Sequence, residues 1–265
     1  MPEGDTLHRT AIGLAPHLVG RTVSAARVRA GGPQVGRIVG AAITSVEAIG
    51  KNLMIRFDNG LEIRTHMRMN GSWHRYRPGE RWRRPPARAR LVLEVPGAVA
   101  VCFDAPVIEL FETRAEAIHP TIARLGPDLL AADWGPALAD EAFRRLRDPA
   151  RADATVSSAL LDQRALAGIG NIWRNEALFH ERVDPWARVA DLDDDTLRRL
   201  IATAHRLLRA SVDTAPGRSP MWVYRRAGRP CRRCGTLVRS AQQDPSIART
   251  TYWCATCQGP DGPPG

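Results

Sequence analysis

The sequence predicts an α+β fold with several domains, and three patterns in chain order carry that prediction. Apolar residues at helical spacing come first, short β-branched runs follow, and a helical stretch then leads into paired cysteines. This order predicts an N-terminal helix on a β-sandwich, a helical domain and a small C-terminal β-hairpin finger. We expect domain boundaries at 1–120, 121–220 and 221–258, with 259–265 as a disordered tail.

The N-terminal part begins with a helix over residues 3–19, where leucines and alanines recur at helical spacing before Gly20. Alternating or β-branched segments then continue to about residue 112, as in a β-sandwich. Seven arginines and three prolines within residues 75–90 predict a mobile basic loop in that region. The expected strands are Thr22–Val28, Ile43–Ile49, Leu53–Phe57, Leu61–His66, Leu91–Val95 and Val99–Phe103.

Helical patterns dominate from Pro127 to Val212. Thr155 or Ser157 is expected to cap a helix through Leu161, and residues 193–210 form a long amphipathic helix. Between these helices, Gly168-Ile169-Gly170-Asn171 predicts a tight turn with Asn171 as the N-cap of the next helix. Such a helix start favours an anion like phosphate, although ordinary turn chemistry gives the same pattern.

Four of the five cysteines form two C-x-x-C pairs separated by 19 residues, a spacing typical of a tetrahedral zinc site in a β-hairpin. Because four thiolates fill the coordination sphere, one Zn²⁺ is expected to be structural. A pair of disulfides is the alternative, and the lack of a visible signal peptide disfavours it. Cys102 lies in an apolar, strand-like run and is expected in the core. The expected zinc ligands are Cys231, Cys234, Cys254 and Cys257.

The chain has a formal charge of +10 at pH 7, and both ends carry the excess. Residues 1–120 have 17 basic and 11 acidic side chains, residues 121–220 have 14 and 15, and residues 221–265 have 7 and 2. Basic ends favour a polyanionic partner, nucleic acid above all, although an arginine-rich coding bias also adds charge. With no run of about 18 apolar residues and no signal peptide, we expect a cytoplasmic protein without a membrane partner.

Amines are scarce in this chain, because Lys51 stands beside 37 arginines. Arginine stays protonated, so attack on a carbonyl needs a lysine or an α-amine. If Met1 is removed, Pro2 offers a secondary amine that condenses with an aldehyde to an iminium, and Glu3 is placed to move protons. The alternatives are that coding bias left one lysine, and that Pro2 and Glu3 merely begin the helix.

Four motifs occur in one order: Met1-Pro2-Glu3-Gly4, Gly50-Lys51, Gly168-Ile169-Gly170-Asn171, and the four-cysteine finger with Arg249 five residues before Cys254. Together they resemble the formamidopyrimidine-DNA glycosylase and endonuclease VIII family over nearly the whole chain. The resemblance implies a helix-two-turn-helix domain after the β-sandwich, with DNA between the two halves. It also implies a monomeric, nucleoid-associated bacterial enzyme whose partner is double-stranded DNA containing damaged bases or abasic sites.

The activity implied by this resemblance is that of a bifunctional DNA glycosylase and abasic-site lyase of base excision repair. The amine of Pro2 would form a Schiff base with the sugar, and β,δ-elimination would cut the backbone on both sides. Glu3 would carry protons, Lys51 would assist at the sugar, and Met69 would fill the space of the flipped nucleotide. The implied catalytic residues are Pro2, Glu3, Lys51 and Arg249, and the implied DNA-binding residues are Arg68, Met69, Gly170, Asn171 and Arg249.

Three features favour the endonuclease VIII branch, whose usual substrates are oxidised pyrimidines. Gly4 matches that branch, residues 104–109 lack the Arg-Arg-Phe wedge of the oxidised-purine branch, and Thr214–Val223 is too short for its base-capping loop. Thr6 is a departure, since most members have glutamate there. The alternatives are an oxidised-purine glycosylase, a non-catalytic zinc-finger protein that binds damaged DNA, and a tautomerase using an N-terminal proline, which would leave the finger unexplained.

Overall fold

The computed structural model describes residues 2–214, 220–244, 247–259 and 262, and the chain divides into two compact units, Met1–Arg124 and Leu125–Gly265. The predicted fold class is confirmed: an N-terminal helix and β-sandwich are followed by a helical region and a β-hairpin with four clustered cysteines. Most of the predicted tail 259–265, and residues 215–219 of the short segment 214–223, lie outside the described residues.

The first unit is a helix packed on a sandwich of two antiparallel four-stranded sheets. Leu7, Leu14 and Leu18 on one face of the helix are buried in the sandwich core, each stabilising the fold by about 1.5–3 kcal/mol. Its elements are α1 (Gly4–Leu18), β1 (Ala25–Val28), β2 (Ile43–Ile49), β3 (Asn52–Phe57), β4 (Leu61–His66), β5 (Ser72–Tyr76), β6 (Ala89–Val95), β7 (Ala98–Phe103) and β8 (Val107–Glu112). The sheet orders are β2-β3-β4-β8 and β1-β6-β7-β5.

Two strands, β5 and β8, are not predicted by the sequence pattern. The prediction of a mobile loop over residues 75–90 is wrong at both ends. Arg75 lies in β5, where it pairs with Ala100 of β7, and Arg90 lies in β6. The segment between them is held by local bonds: the Glu80 carboxylate accepts from the Arg77 N–H at 2.8 Å, and the Tyr76 hydroxyl accepts from the Arg83 N–H at 3.0 Å.

Antiparallel pairing gathers three connections at one end of the sandwich, which we call the Lys51 end. The turn 50–51 joins β2 to β3, residues 67–71 join β4 to β5, and residues 104–106 join β7 to β8. At the opposite end, the Gly20 N–H donates to the Ile43 carbonyl at 2.8 Å, which fixes the C-terminus of α1 beside the start of β2. Helix α1 packs along β2, and both elements are about 22 Å long, so α1 begins toward the Lys51 end.

The second unit contains a helical core followed by the cysteine hairpin. The Thr155 hydroxyl accepts from the Ser158 N–H at 3.2 Å and caps a helix as predicted, but that helix ends at Ala159 rather than Leu161. The long helix is capped by Asp193 and continues past Ala210. The helices and strands of the second unit are α2 (Pro136–Leu146), α3 (Val156–Ala159), α4 (Asn171–His180), α5 (Asp194–Asp213), β9 (Arg239–Asp244), β10 (Ile247–Trp253) and α6 (Ala255–Gln258). Among the described residues, no helix combines the length and apolar character of a bilayer crossing.

Candidate functional site

Pro2 and Glu3 lie immediately before α1. Pro2 is partly exposed, whereas Glu3 is fully buried. The Glu3 carbonyl accepts from the N–H groups of Thr6 and Leu7 at 2.9 and 3.2 Å, but its carboxylate makes no capping bond to the helix. Carboxylates are seldom fully buried, and those that are tend to occur at functional sites. The helix start therefore accounts for the backbone of Glu3 but not for the burial of its acid.

Lys51 lies in a two-residue turn between β2 and β3, directly flanked by the paired residues Ile49 and Asn52. Gly50 has φ of 58°, a left-handed value that glycine adopts without steric cost and that suits the twist of such a hairpin. The Asn52 side-chain N–H donates to the Ile49 carbonyl at 3.0 Å and closes the turn. The backbone on both sides of Lys51 is thus fixed.

His66 lies across from this turn, because it pairs with Asn52 between β3 and β4. Burial, together with the positive charges of Arg64, Lys51 and Arg68, lowers the pKa of His66 to about 4. Its Nδ1 accepts from the Arg68 backbone N–H at 3.1 Å, which requires the ring to be unprotonated there. The Lys51 end therefore carries several cations around a neutral imidazole. The sequence interpretation missed His66, although Arg64 and His66 share one face of β4 at the two-residue period of a strand.

Residues 67–71 form a tight loop that presents Met69. Met67 is 2% exposed and anchors the loop in the core, whereas Met69 is 64% exposed. The Gly71 N–H donates to the Met67 carbonyl at 2.9 Å, and a Cβ on Gly71 would lie 2.6 Å from that oxygen, so the loop closes only with glycine. Arg68 has φ of 44° and begins the reversal. The closed loop therefore holds the flexible, apolar Met69 side chain in an exposed position.

In the second unit, the prediction of Asn171 as an N-cap is wrong, because Gly170 is the N-cap and Asn171 is the first residue of α4. Its side chain is 7% exposed and points to the cysteine hairpin, where its amide N–H donates to the Thr250 carbonyl at 3.0 Å. Arg174, fully buried one turn later, donates to the Asn171 side-chain oxygen at 2.6 Å and to the Thr251 hydroxyl at 3.1 Å.

Arg249 directly precedes Thr250, whose carbonyl accepts from the Asn171 side chain. The structure therefore brings the predicted residues Asn171 and Arg249 close together. The pairing of β9 with β10 is irregular between Ile247 and Thr250, and Arg249 lies within that irregularity. Within the part of the chain that is described, its buried Nη1 has no hydrogen-bond partner. A buried donor without an acceptor costs about 1–3 kcal/mol, which an anionic oxygen bound there would recover.

Two further side chains on α4 were not predicted and tie this helix to the chain that follows. The Asn175 side-chain oxygen accepts from the Tyr252 N–H at 2.8 Å. The Glu176 carboxylate accepts from the backbone N–H groups of residues 222, 223 and 224 at 2.9, 3.0 and 2.9 Å. Burial raises the pKa of Glu176, and these three N–H groups oppose the rise. Polar residues at one-turn spacing on a helix, here 171, 174 and 175, were the available signal.

The four predicted cysteines form a cluster in which all the sulfur atoms lie within 4.8 Å of one another. The Cys234 and Cys254 sulfurs are 3.4 Å apart. Thiolates at about 2.3 Å from one tetrahedral ion would be about 3.8 Å apart, so the donor set and its spacing fit a four-coordinate metal. Cys231 and Cys254 are buried against Phe179 and Val223, which joins the cluster to α4. Cys102 is fully buried in the sandwich, as predicted.

With this geometry in place, comparison with known proteins identifies the class. Residues 1–106 match the formamidopyrimidine-DNA glycosylase N-terminal domain, and residues 125–220 match the formamidopyrimidine-DNA glycosylase H2TH domain. The chain belongs to the formamidopyrimidine-DNA glycosylase family.

Individual relatives refine the placement within the family. A probable endonuclease 8 2 of Streptomyces coelicolor is 41% identical over the whole chain and 97% of its own length. The DNA-(apurinic or apyrimidinic site) lyase Nei2 of Mycolicibacterium smegmatis is 38% identical, over 97% of this chain and 99% of its own length. The crystal structure of the MutM (Fpg) protein of Thermus thermophilus superposes with a TM-score of 0.81 at 27% identity, covering 99% of this chain and all of that one.

Proposed function

We propose that this protein is a bifunctional DNA glycosylase and abasic-site lyase of base excision repair that removes oxidised bases, preferentially pyrimidines. One observation carries the proposal: α1 begins toward the end of the sandwich that also holds the Lys51 turn and the exposed Met69. An amine, a buried acid, a lysine and a wedge for the base stack therefore belong to one end of one unit. The names of the relatives at 38–41% identity agree with this activity.

The chemistry begins at Pro2, whose secondary amine attacks C1′ of the damaged nucleotide. The bond from nitrogen to C1′ forms as the glycosidic bond breaks, and the base leaves with a proton. After the nitrogen loses its proton, protonation of O4′ breaks the C1′–O4′ bond and opens the sugar to an iminium. The iminium makes the C2′–H acidic, so loss of that proton expels the 3′ phosphate. A second elimination expels the 5′ phosphate, and hydrolysis regenerates the amine. Glu3, buried beside Pro2, carries protons in these steps, and Lys51 contacts phosphate and assists at the sugar.

The second unit supplies phosphate contacts in this proposal. Asn171 at the start of α4 and Arg249 beside Thr250 bind the phosphates that flank the lesion, together with the Gly170 backbone. Met69 enters the space left by the flipped nucleotide, and Arg68 reaches the orphaned base. One structural Zn²⁺ held by the four cysteines would fix the hairpin that carries Arg249. The proposed substrate would place the protein at the bacterial nucleoid.

The preference for pyrimidine lesions rests on the connection 104–106. Asp104 there is paired with Arg84 and Arg88, at 2.7 and 2.9 Å, and supplies neither a cation nor an aromatic ring to fill a base stack. The exposed apolar side chain at this end is instead Met69. In this proposal the wedge comes from the loop of residues 67–71, where the sequence interpretation places it with Met69.

A panel of duplex oligonucleotides, each with one lesion, tests this proposal. We expect faster excision of oxidised pyrimidines than of 8-oxoguanine or formamidopyrimidine, with phosphate at both new ends of the cut strand. The reverse preference would support the oxidised-purine alternative. Tight binding of every lesion without base release would support the non-catalytic alternative.

A further inference from the structure

A second basic site lies at the Lys51 end, on the other sheet of the sandwich. A pocket of about 370 Å³ opens between the end of β1, the start of β6 and the connection 104–106. Its lining includes one arginine that follows β1, two arginines around the start of β6 and a polar residue of the Met69 loop: Arg29, Arg88, Arg90 and Asn70. None of these arginines belongs to the proposed catalytic or phosphate-binding residues.

The charge in this pocket is not neutralised by its own acid. Asp104 also lines the pocket, but Arg88 donates to it at 2.9 Å and Arg84 at 2.7 Å, so its charge is already balanced. Arg29 and Arg90 form no ion pair among the described residues. The Nε of Arg90 is buried and has no hydrogen-bond partner in that part of the chain. An oxygen anion in the pocket would satisfy this donor and meet two uncompensated guanidinium groups.

The position of the pocket relative to Met69 indicates which anion it holds. Residues 67–71 cross from one sheet to the other, so Lys51 lies on the β2–β3 side of Met69, and Asn70 borders the pocket on the β5 side. The Arg84 guanidinium donates to the Asn70 carbonyl at 3.2 Å and ties the pocket to the loop. If Met69 enters the stack between the two strands, the damaged strand lies toward Lys51 and the intact strand lies toward the pocket.

We propose that the pocket of Arg29, Arg88 and Arg90 binds a backbone phosphate of the undamaged strand. This inference rests on the proposed function for the placement of the two strands. The pocket adds a phosphate contact on the intact strand, close to the nucleotide whose partner has been flipped. The enzyme then holds both strands across its wedge, and duplex DNA is bound more tightly than single-stranded DNA.

Binding of Arg29→Gln and Arg90→Gln to DNA with a stable abasic analogue tests the proposal, using fluorescence anisotropy at fixed salt. Arg37→Gln is the matched control, because Arg37 is exposed and lines a pocket at the opposite end of the same unit. We expect each pocket variant to lose roughly tenfold in duplex affinity and little in single-strand affinity. Arg37→Gln should bind both as the wild type does. Since the Arg29 side chain is exposed, its variant keeps the test valid if Arg90→Gln unfolds.

Replacing single phosphates of the undamaged strand by neutral methylphosphonates locates the contact. In the wild type, one position near the orphaned base should weaken binding about tenfold, and in Arg29→Gln the same replacement should cost nothing further. Equal losses on duplex and single-stranded DNA, a sensitive phosphate on the damaged strand, or unchanged binding of both variants would overturn the proposal. Because the readout is binding, a protein that binds duplex in this way but forms no covalent adduct would refute the proposed catalysis and leave the pocket standing.

Discussion

At the residue scale, the decisive question is why one lysine is present among 37 arginines. Lys51 lies in a rigid two-residue turn beside His66, whose pKa is lowered by burial and by the cations around it. A guanidinium would supply the same charge, but it is broader, and it holds its proton too firmly to exchange it during catalysis. The account therefore assigns Lys51 a role at the sugar in addition to its charge.

For Lys51→Arg, we expect retained affinity for abasic-analogue duplex and a base-excision rate reduced about 10²-fold, the typical contribution of a positioned proton-transfer group. Single-turnover kinetics with one oxidised pyrimidine in duplex DNA measure this rate. An excision rate equal to that of the wild type would show that only positive charge is needed at this turn.

His66 makes a pH-dependent prediction. Its pKa of about 4 in the folded protein is below the ordinary 6.5 of histidine, so the unfolded chain binds the proton more tightly. The stability contributed by neutral His66 is then complete above pH 6.5 and is lost as the pH falls toward 4, by about 3 kcal/mol. The difference in unfolding free energy between the wild type and His66→Gln, measured by urea denaturation, should shrink over that range. A difference independent of pH would contradict the assigned pKa.

At the element scale, α4 holds the cysteine hairpin and residues 222–224 through side chains whose role was not predicted from the sequence. Asn171, Arg174 and Asn175 grip β10, and Glu176 accepts three backbone N–H groups of residues 222–224. The last contact fixes Val223, which packs against Cys231 and Cys254. The position of the cysteine hairpin on this helix thus depends on these four side chains, of which the Glu176 carboxylate makes three of the bonds.

Glu176→Gln should destabilise the protein by about 2–4 kcal/mol, because an amide presents one acceptor and an N–H₂ group to three donors. Thermal unfolding measures this loss, and metal retention under a chelator should decrease with it. Glu141→Gln is the control, since the Glu141 carboxylate, within the described part of the chain, pairs only with Arg144 and Arg145 on the helix surface. Equal effects of the two substitutions would show that the three N–H bonds do not stabilise the hairpin.

Elements with strong periodicity were predictable from the sequence, and those defined by tertiary contacts were not. α1, β2 and β4 agree with their apolar patterns within one or two residues, and the cysteine spacing predicted the cluster. β5 was missed because Ser72, His74 and Arg75 are polar, and only its pairing with β7 makes it a strand. Asn171 was predicted as the N-cap because asparagine is favoured at that position. Its side chain instead donates a hydrogen bond to the carbonyl of Thr250, 79 residues away.

At the scale of the whole molecule, charge divides the chain into a basic first part, a balanced middle and a basic end. Because both units contribute proposed phosphate contacts, affinity should depend on the release of counterions from DNA. If roughly four phosphates are neutralised, the slope of log K against log salt should be about −3 to −4. Anisotropy titrations between 50 and 200 mM salt measure this slope, and a flat response would contradict a DNA-binding function.

The same titrations separate the contributions of the two units. Arg249→Gln in the second unit and Arg29→Gln in the first should each reduce the magnitude of the slope by about 1. Exposed Arg37, at the opposite end of the sandwich from Lys51, should leave the slope unchanged when it is replaced by glutamine.

The central claim is that the secondary amine of Pro2 bonds covalently to the sugar of damaged DNA. Borohydride reduction of the protein with abasic-site duplex, followed by peptide mass spectrometry, tests it most directly. We predict a reduced adduct on Pro2 in the wild type, abolished in Pro2→Gly if that variant still binds abasic-analogue duplex as the wild type does. An adduct that maps to Lys51, or active protein that retains Met1 on its N-terminus, would contradict the account.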